Sequence, residues 1–482
     1  MRDAGRRVDF QSRCPERGFL VPGPRVSEGQ SQGRDALPRT LTLFDLVWIV
    51  VGTVIGSGIF IVPAVTLRQN GGYVGPSLVA WTIAGALSCL GALTYAELAT
   101  LKPEAGGLYV YIRDAFGRLP AFLYGWTLLV VIGTGSIATL AVAFGIYLRE
   151  LLPLPIWMGK ATAVLVIALI CALNVRGVRQ TATAHATITA LKVGAILVMC
   201  VALLALGKEG PAVVARMWPE GAVGPLLPTI GLSVVGGLWA YEGWHYCSFS
   251  AGEALHPQRD LPRALALGLA ILVIVYTLAN LGYVLALGPQ RATGAERVAA
   301  AATSVIAGPV GGKLVTIVIL LSILSATNGT MLTAPRAYFA MARDGLLFSW
   351  LGSLHREYAT PAPAIVLAAL WSSILALSGT FEQLLTSVVF SAWIFYGLGA
   401  AAVFVFRRRM PGPRTFSVPG YPVTPALFIA AAGLLVANTT LTRPAIAAWG
   451  AAVVALGLPA YLLWGRRSLG DVSGEPREVP RA

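Results

Sequence analysis

The chain has 482 residues, 56% hydrophobic and only 12% charged, where soluble proteins carry roughly 25% charged residues, so a soluble protein is excluded and a polytopic membrane protein is expected. Its net charge of +14 would suit nucleic acid if it were spread evenly, but 26 of the 36 Lys and Arg fall on one side of the expected spans and nine on the other, with Lys192 inside a span. That is the positive-inside pattern, which accounts for the excess by topology, excludes a nucleic-acid partner and places both termini in the cytoplasm of a cell-membrane protein.

Residues 1–40 are rich in Arg, Gly, Pro and Ser and lack the apolar run of a signal peptide, so a disordered cytoplasmic tail is expected. Twelve apolar segments follow, at about 43–66, 76–101, 121–149, 156–174, 183–206, 226–252, 264–288, 311–340, 361–379, 383–406, 424–441 and 444–464. Each is near the roughly 20 residues that cross a bilayer. A short cytoplasmic tail is expected over 467–482.

The first segment carries the main signal. LFDLVWIVVGTVIGSGIFIVP (Leu43 to Pro63) holds Gly52, Gly56, Ser57 and Gly58 in its middle. In lipid every backbone N–H and C=O needs a partner, so a helix opens only where it faces protein or a cavity. An opened helix offers the N–H groups of its second half, at the positive end of the helix dipole, to an anion. A discontinuous helix that binds a carboxylate at Gly56-Ser57-Gly58 is therefore expected; the competing reading is that small residues only permit close helix packing. Asp45 is an early-turn carboxylate favoured by the same dipole. Between the second and third segments, GGLYVYIRDAFGR (Gly106 to Arg118) is amphipathic and basic and predicts a short helix on the cytoplasmic surface.

In the fifth segment, Lys192 lies some nine residues from the nearer end. An ionisable residue there costs about 3 kcal/mol on insertion scales and is usually functional; snorkelling to an interface is the alternative. The sixth segment repeats the oddity of the first. Gly236-Gly237 leads into LWAYEGWHYCSFSAGE, where Tyr241, Glu242, Gly243, Trp244 and His245, directly after Trp239 and Ala240, interrupt an apolar run that Pro257 ends. Paired interruptions at matching places in two groups of five spans point to an inverted-repeat transporter. The first break would supply N–H donors for a carboxylate and the second would leave carbonyls for an ammonium, which together describe an amino acid. Trp239 is placed to cover a bound substrate. Glu242 either touches substrate, carries a proton, or bonds freed backbone N–H groups. Glu97 and Glu253, near the ends of their spans, suit a gate or helix-end pairing. The Ala-rich stretch from Gly294 to Ile306 suits a helical flap. In the eighth segment, Ser325 and Asn328 either line the path or bond neighbouring helices.

Five cysteines (Cys14, Cys89, Cys171, Cys200, Cys247) show no paired spacing, and no HExxH motif is present, so no disulfide frame, metal or other cofactor is expected. No nucleophile–base pair marks an enzyme.

The stretches GTVIGSGIF, GALTYAELATLKPEAGGLYVYIRDAFG, GLWAYEGWHYCSFSAGEALHPQRDLPRA, NGTMLTAPRAYFAMARDG and YATPAPAI resemble the amino acid–polyamine–organocation superfamily, above all its L-type branch of amino acid permeases. The resemblance runs from about Leu41 to Trp464. It implies an all-α membrane protein of 12 transmembrane helices, built as a five-plus-five inverted repeat of the leucine-transporter type with helices 1 and 6 discontinuous: a first repeat at 41–210, a second at 226–408, and two further helices at 424–466. It implies a secondary transporter of L-amino acids working by alternating access, through exchange or with protons as the coupling ion. The substrate carboxylate would meet Gly56, Ser57 and Gly58, and its amino group the carbonyls near Val54, Trp239 and Tyr241. Lys192 falls where sodium-independent members place a lysine in the position of a sodium ion. Many members have glycine where this chain has Glu242, and some that take cationic substrates have aspartate. The connection from Arg149 to Trp157 lacks the cysteine that links a heavy-chain subunit, so no covalent partner is expected. A polyamine carrier and a nutrient receptor that binds without transport remain the alternatives.

Overall fold

The computed structural model describes residues 37–220, 227–295, 297–442 and 444–464; residues 1–36 and the tail expected over 467–482 lie outside the described residues. Among the described residues, regular structure is helical apart from one isolated bridge between Leu41 and Ala254. The helices are α1 (Leu43–Val54), α2 (Gly58–Gln69), α3 (Val74–Leu101), α4 (Leu108–Phe116), α5 (Arg118–Thr127), α6 (Gly133–Leu151), α7 (Ile156–Val175), α8 (Val178–Leu206), α9 (Gly210–Ala215), α10 (Leu227–Ala240), α11 (Pro257–Leu287), α12 (Pro289–Gly294), α13 (Val298–Thr333), α14 (Pro335–Arg343), α15 (Ala362–Ser378), α16 (Phe381–Arg409), α17 (Val423–Thr442) and α18 (Pro444–Trp464).

Among the described residues, nine helices are long and apolar enough to cross a membrane, and α1 with α2, bent by 46° at their junction, make a tenth. The expected sixth and ninth spans are shorter as helices: α10 has 14 residues and α15 has 17. The apolar surface fits this reading, because side chains such as Leu165, Val198, Leu434 and Leu441 point outward, as they do where lipid replaces water.

Local chemistry sets the ends. Thr42 and Asp45 form a capping box at the start of α1: Asp45 N–H donates to Thr42 Oγ1 at 3.3 Å, and Thr42 N–H donates to Asp45 Oδ2 at 2.9 Å. Thr380 and Gln383 do the same for α16. Inside the bundle, hydroxyls such as Ser88, Thr139, Thr327 and Thr330 donate to the carbonyl four residues back, which leaves few polar atoms to be matched across helices. Between α5 and α6 the chain makes one π turn over Leu128–Ile132. Two carbonyls there accept from other helices: Leu128 from the Tyr338 hydroxyl at 3.1 Å and Val130 from the Trp371 indole at 3.0 Å.

Two features differ from expectation. The stretch after α4's glycines is helical, but Tyr109, Val110, Tyr111 and Ile112 are fully buried, so α4 packs into the protein rather than lying on a membrane surface. The reason is its position under the second break, where Phe249 N–H and Ser248 Oγ come so close to Gly107 that no Cβ fits. The second half of the sixth span is a 3₁₀ helix, Trp244–Glu253, not an α-helix. At its far end the chain is strapped down: the N–H groups of Thr40 and Leu41 both donate to the Glu253 carbonyl at 2.9 Å.

Candidate functional site

The first break begins where α1 runs out at Val54. Ile55 leaves helical geometry with ψ 88°, and Gly56 N–H folds back onto the Val54 carbonyl at 2.8 Å. α2 starts at Gly58, so its first N–H groups have no intrahelical acceptor. The carbonyls left at the end of α1 are held by α8: Lys192 Nζ donates to Gly52 O at 2.9 Å and to Ile55 O at 2.7 Å, and the lysine is fully buried. A cation at a helix C-terminus is favoured by the helix dipole. Snorkelling is thus not how Lys192 is accommodated.

The second break follows Ala240. Glu242 N–H donates to Trp239 O at 3.1 Å, and Gly243 turns the chain with φ +116° into the 3₁₀ helix. A side chain at Gly243 would be strained, and its Cβ would stand 3.1 Å from Thr53 Cγ2 and 3.3 Å from Thr53 O. Across the crossing, a Cβ on Gly58 would stand 2.9 Å from Ala240 Cα. The two breaks therefore touch through their glycines. The Tyr276 hydroxyl of α11 bridges them, 2.9 Å from Ala240 O and 3.3 Å from Val54 O.

A cavity of about 40 Å³ lies at this crossing. Val54, Gly56, Ser57, Gly58, Trp239, Ala240, Glu242 and Gly243 line it, joined by Thr53, Ser136, Leu140, Tyr246 and Thr330. The cavity is small and only partly enclosed. Half-buried Trp239 forms part of the wall. Tyr241 is not among the lining residues: its ring packs at 4.9 Å from Tyr276 and 6.1 Å from Trp81, between ring centroids. A larger cavity of 720 Å³, among α6, α15, α16 and α18, is walled by Trp371, Leu375, Trp449 and other uncharged residues. Its polar lining is limited to uncharged groups such as Ser378, Thr380, Gln383 and Ser387.

Glu242 accepts a short hydrogen bond from Tyr396 of α16, whose oxygen is also 3.2 Å from His245 Nε2. About two turns along α8 from Lys192, His185 Nε2 lies 3.0 Å from Trp48 O, and its Nδ1 is 3.4 Å from Asn328 Nδ2. Asn174 Nδ2 donates to Asn328 Oδ1 at 2.8 Å, and Thr189 pairs with Ser325 at 2.8 Å. Ser325 and Asn328 thus bond neighbouring helices and do not line the cavity.

The polar residues at one end of the bundle pair with each other. Glu97 takes two hydrogen bonds from Arg407, at 2.8 and 2.6 Å, and one from Val418 N–H at 2.7 Å. Glu253 pairs with Arg336, both completely buried. On α4, burial raises the Asp114 pKa, but hydrogen bonds and charge from Arg113 and Lys102 outweigh it and hold the carboxyl below its ordinary range. The pairs at Glu97 and Glu253 are the helix-end pairing expected of them.

Tyr276, Tyr396, His185 and Ser136 were not singled out by sequence. Tyr276 and Tyr396 stand in largely apolar runs, and His185 and Ser136 among small polar residues; only the packing of distant helices brings them to the breaks. The cluster Gly133-Thr134-Gly135-Ser136 was the one signal available.

The amino acid permease family model matches residues 41–459. The chain is 32% identical to the human (Homo sapiens) cystine/glutamate transporter over 451 residues, covering 92% of this chain and 89% of that protein. It is 30% identical to the serine/threonine exchanger SteT of Bacillus subtilis (strain 168), covering 89% of this chain and 97% of that one. To the b(0,+)-type amino acid transporter 1 of Oryctolagus cuniculus it is 32% identical, covering 81% of each. Two of these relatives are named as transporters and one as an exchanger, none as an enzyme.

Proposed function

The chain belongs to the amino acid permease family, and we propose that it is a sodium-independent secondary transporter of L-amino acids that works by alternating access, in exchange or with proton-linked uptake. The observation that carries this is the crossing of two helix breaks at one small cavity. Broken helices facing each other at mid-membrane are the usual site of a secondary transporter.

In this reading α10 and its 3₁₀ continuation form one broken span and α15 another, which brings the spans to twelve, with residues 41–210 and 226–408 as inverted repeats and the basic run Arg407–Arg409 in the cytoplasm. The substrate carboxylate sits on the amides of Ser57 and Gly58, with Gly56 joining once it leaves the Val54 carbonyl. The amino group takes carbonyls at the ends of α1 and α10, from Val54 and Trp239 to Tyr241, which Tyr276 now occupies in part. Trp239 gates the cavity. Lys192 supplies a fixed positive charge beside α1, which leaves no need for a sodium ion there. Glu242 faces the cavity and favours substrates with a cationic side chain. The relative named as a serine/threonine exchanger supports exchange, and the chain works without a covalently linked heavy chain.

Counterflow of labelled L-leucine and L-lysine into liposomes holding the purified protein, with and without sodium, tests the proposal. Flux that is unchanged by sodium supports it. Binding without flux would make the protein a receptor, and flux that requires sodium would overturn the role given to Lys192.

A further inference from the structure

One ionisable cluster in the cavity wall has more proton-accepting capacity than its hydrogen bonds use. Glu242 lines the cavity. The Tyr396 hydroxyl donates to Glu242 Oε1, and the Tyr396 phenol oxygen lies 3.2 Å from His245 Nε2. Tyr396 has one proton to give. When it goes to Glu242, the phenol oxygen must accept, so His245 presents Nε2–H and its Nδ1 carries a lone pair. That Nδ1 belongs to a completely buried imidazole, has no hydrogen-bond partner, and stands 3.8 Å from Glu242 Oε1. A buried polar atom left unmatched calls for a reason.

The same heavy-atom positions fit a second arrangement. Here Glu242 is the acid and donates to Tyr396, Tyr396 donates to Nε2, and the imidazole proton sits on Nδ1. The two arrangements differ by one proton. A proton arriving at Nδ1 lets Nε2–H pass to the phenol oxygen and the phenol proton pass to Glu242. The histidine ends neutral, the tyrosine ends neutral, and the carboxylate has become a carboxylic acid.

We propose that Glu242, Tyr396 and His245 together bind a single exchangeable proton, which switches the cavity wall from anionic to neutral. The proposal rests on the reading of this cavity as the substrate site. It makes the proton and a cationic substrate side chain competitors for one carboxylate, while a neutral amino acid is indifferent to it. The other titratable groups facing the cluster are phenols without charge at neutral pH: Tyr95 from α3, Tyr124 from α5 and Tyr246 from the 3₁₀ helix. α6 contributes the Ser136 hydroxyl and the apolar Leu140 to the wall, and no titratable group. Lys192 and His185 are bound to carbonyls of α1 instead.

Two measurements test this. The first is the acid–base titration of purified protein between pH 5 and 8.5, wild type minus E242Q, which needs no transport. It should contain a step of one proton, and Y396F, lacking a donor that favours the ionised carboxylate, should move that step up by about one pH unit. Absence of the step, or a step that Y396F leaves in place, overturns the proposal. The second is the ratio of L-lysine to L-leucine counterflow over the same range. The ratio should rise about tenfold per pH unit below the step and become flat in E242Q. A ratio that is flat in the wild type overturns the proton site while leaving amino acid transport standing. Absence of counterflow for both amino acids would instead remove the transport reading, and the titration then decides the proton site by itself.

Discussion

Replacing Lys192 with methionine removes the charge and keeps most of the volume. The ammonium makes two charge-assisted hydrogen bonds, to Gly52 O at 2.9 Å and Ile55 O at 2.7 Å, each worth about 1.5–3 kcal/mol. Part of that gain is offset by the cost of burying the ion, which methionine does not incur. The carbonyls, however, are the last ones of α1 and stand in a dry interior, so losing their donor costs about 1–3 kcal/mol each. A net loss of about 2–4 kcal/mol is expected, concentrated on the geometry of the first break. If about 2 kcal/mol of it is felt as misplacement of the α2 amides, exchange slows roughly 30-fold. The assay is L-leucine counterflow in liposomes, paired with the melting temperature of the same preparation in detergent. K192M should insert and purify, melt several degrees lower, and exchange at a few per cent of the wild-type rate. Exchange within twofold of wild type at an unchanged melting temperature would refute the claim that Lys192 holds the break.

Three further outcomes follow from single contacts. Y276F removes the hydroxyl that joins Val54 O to Ala240 O; it should alter the half-saturating substrate concentration at least threefold, about 0.7 kcal/mol, with little change in melting temperature, and an unaltered value would take Tyr276 out of the site. G243A forces a Cβ onto a residue with φ +116° against Thr53; about 1–2 kcal/mol of strain is expected, read as a lower melting temperature and slowed exchange, and a wild-type melt would show that the turn is not constrained. D114N tests the ion pairs of α4. The folded Asp114 pKa lies below its unfolded value, so its stabilisation is present above the ordinary carboxylate range and is lost as pH falls through the folded value. The melting-temperature gap between wild type and D114N should be full at pH 6 and shrink below about pH 4; a gap that does not change with pH would mean the pairing is not electrostatic.

Much of this architecture was legible because membrane helices advertise their exceptions. Gly56-Ser57-Gly58 and Glu242-Gly243 stand out against apolar runs, and eight of the residues expected at the site do line the cavity. Lys192 was conspicuous for the same reason. What it binds was not, because Gly52 and Ile55 offer backbone carbonyls, which have no sequence signature. Tyr241 was expected to offer its carbonyl, but where its ring goes depends on Trp81 and Tyr276, residues on two other helices. The partners of Glu97 and Glu242 lie 310 and 154 positions away along the chain, a separation no local pattern encodes. Helix type is equally hidden, since WHYCSFSAGE has no composition that favours 3₁₀ over α geometry. The burial of α4 also depended on tertiary packing: its amphipathic pattern is the same whether the apolar face meets lipid or the second break.

The most direct test of two opposed helix ends holding one zwitterion is competition against labelled L-leucine counterflow by L-leucine, its methyl ester and its deaminated acid. The account predicts that only the free amino acid competes, with the ester and the acid each weaker by at least tenfold, the equivalent of about 1.4 kcal/mol for one lost charged contact. An ester that competes as well as free L-leucine would show that the α2 amides bind no carboxylate, and would contradict the account.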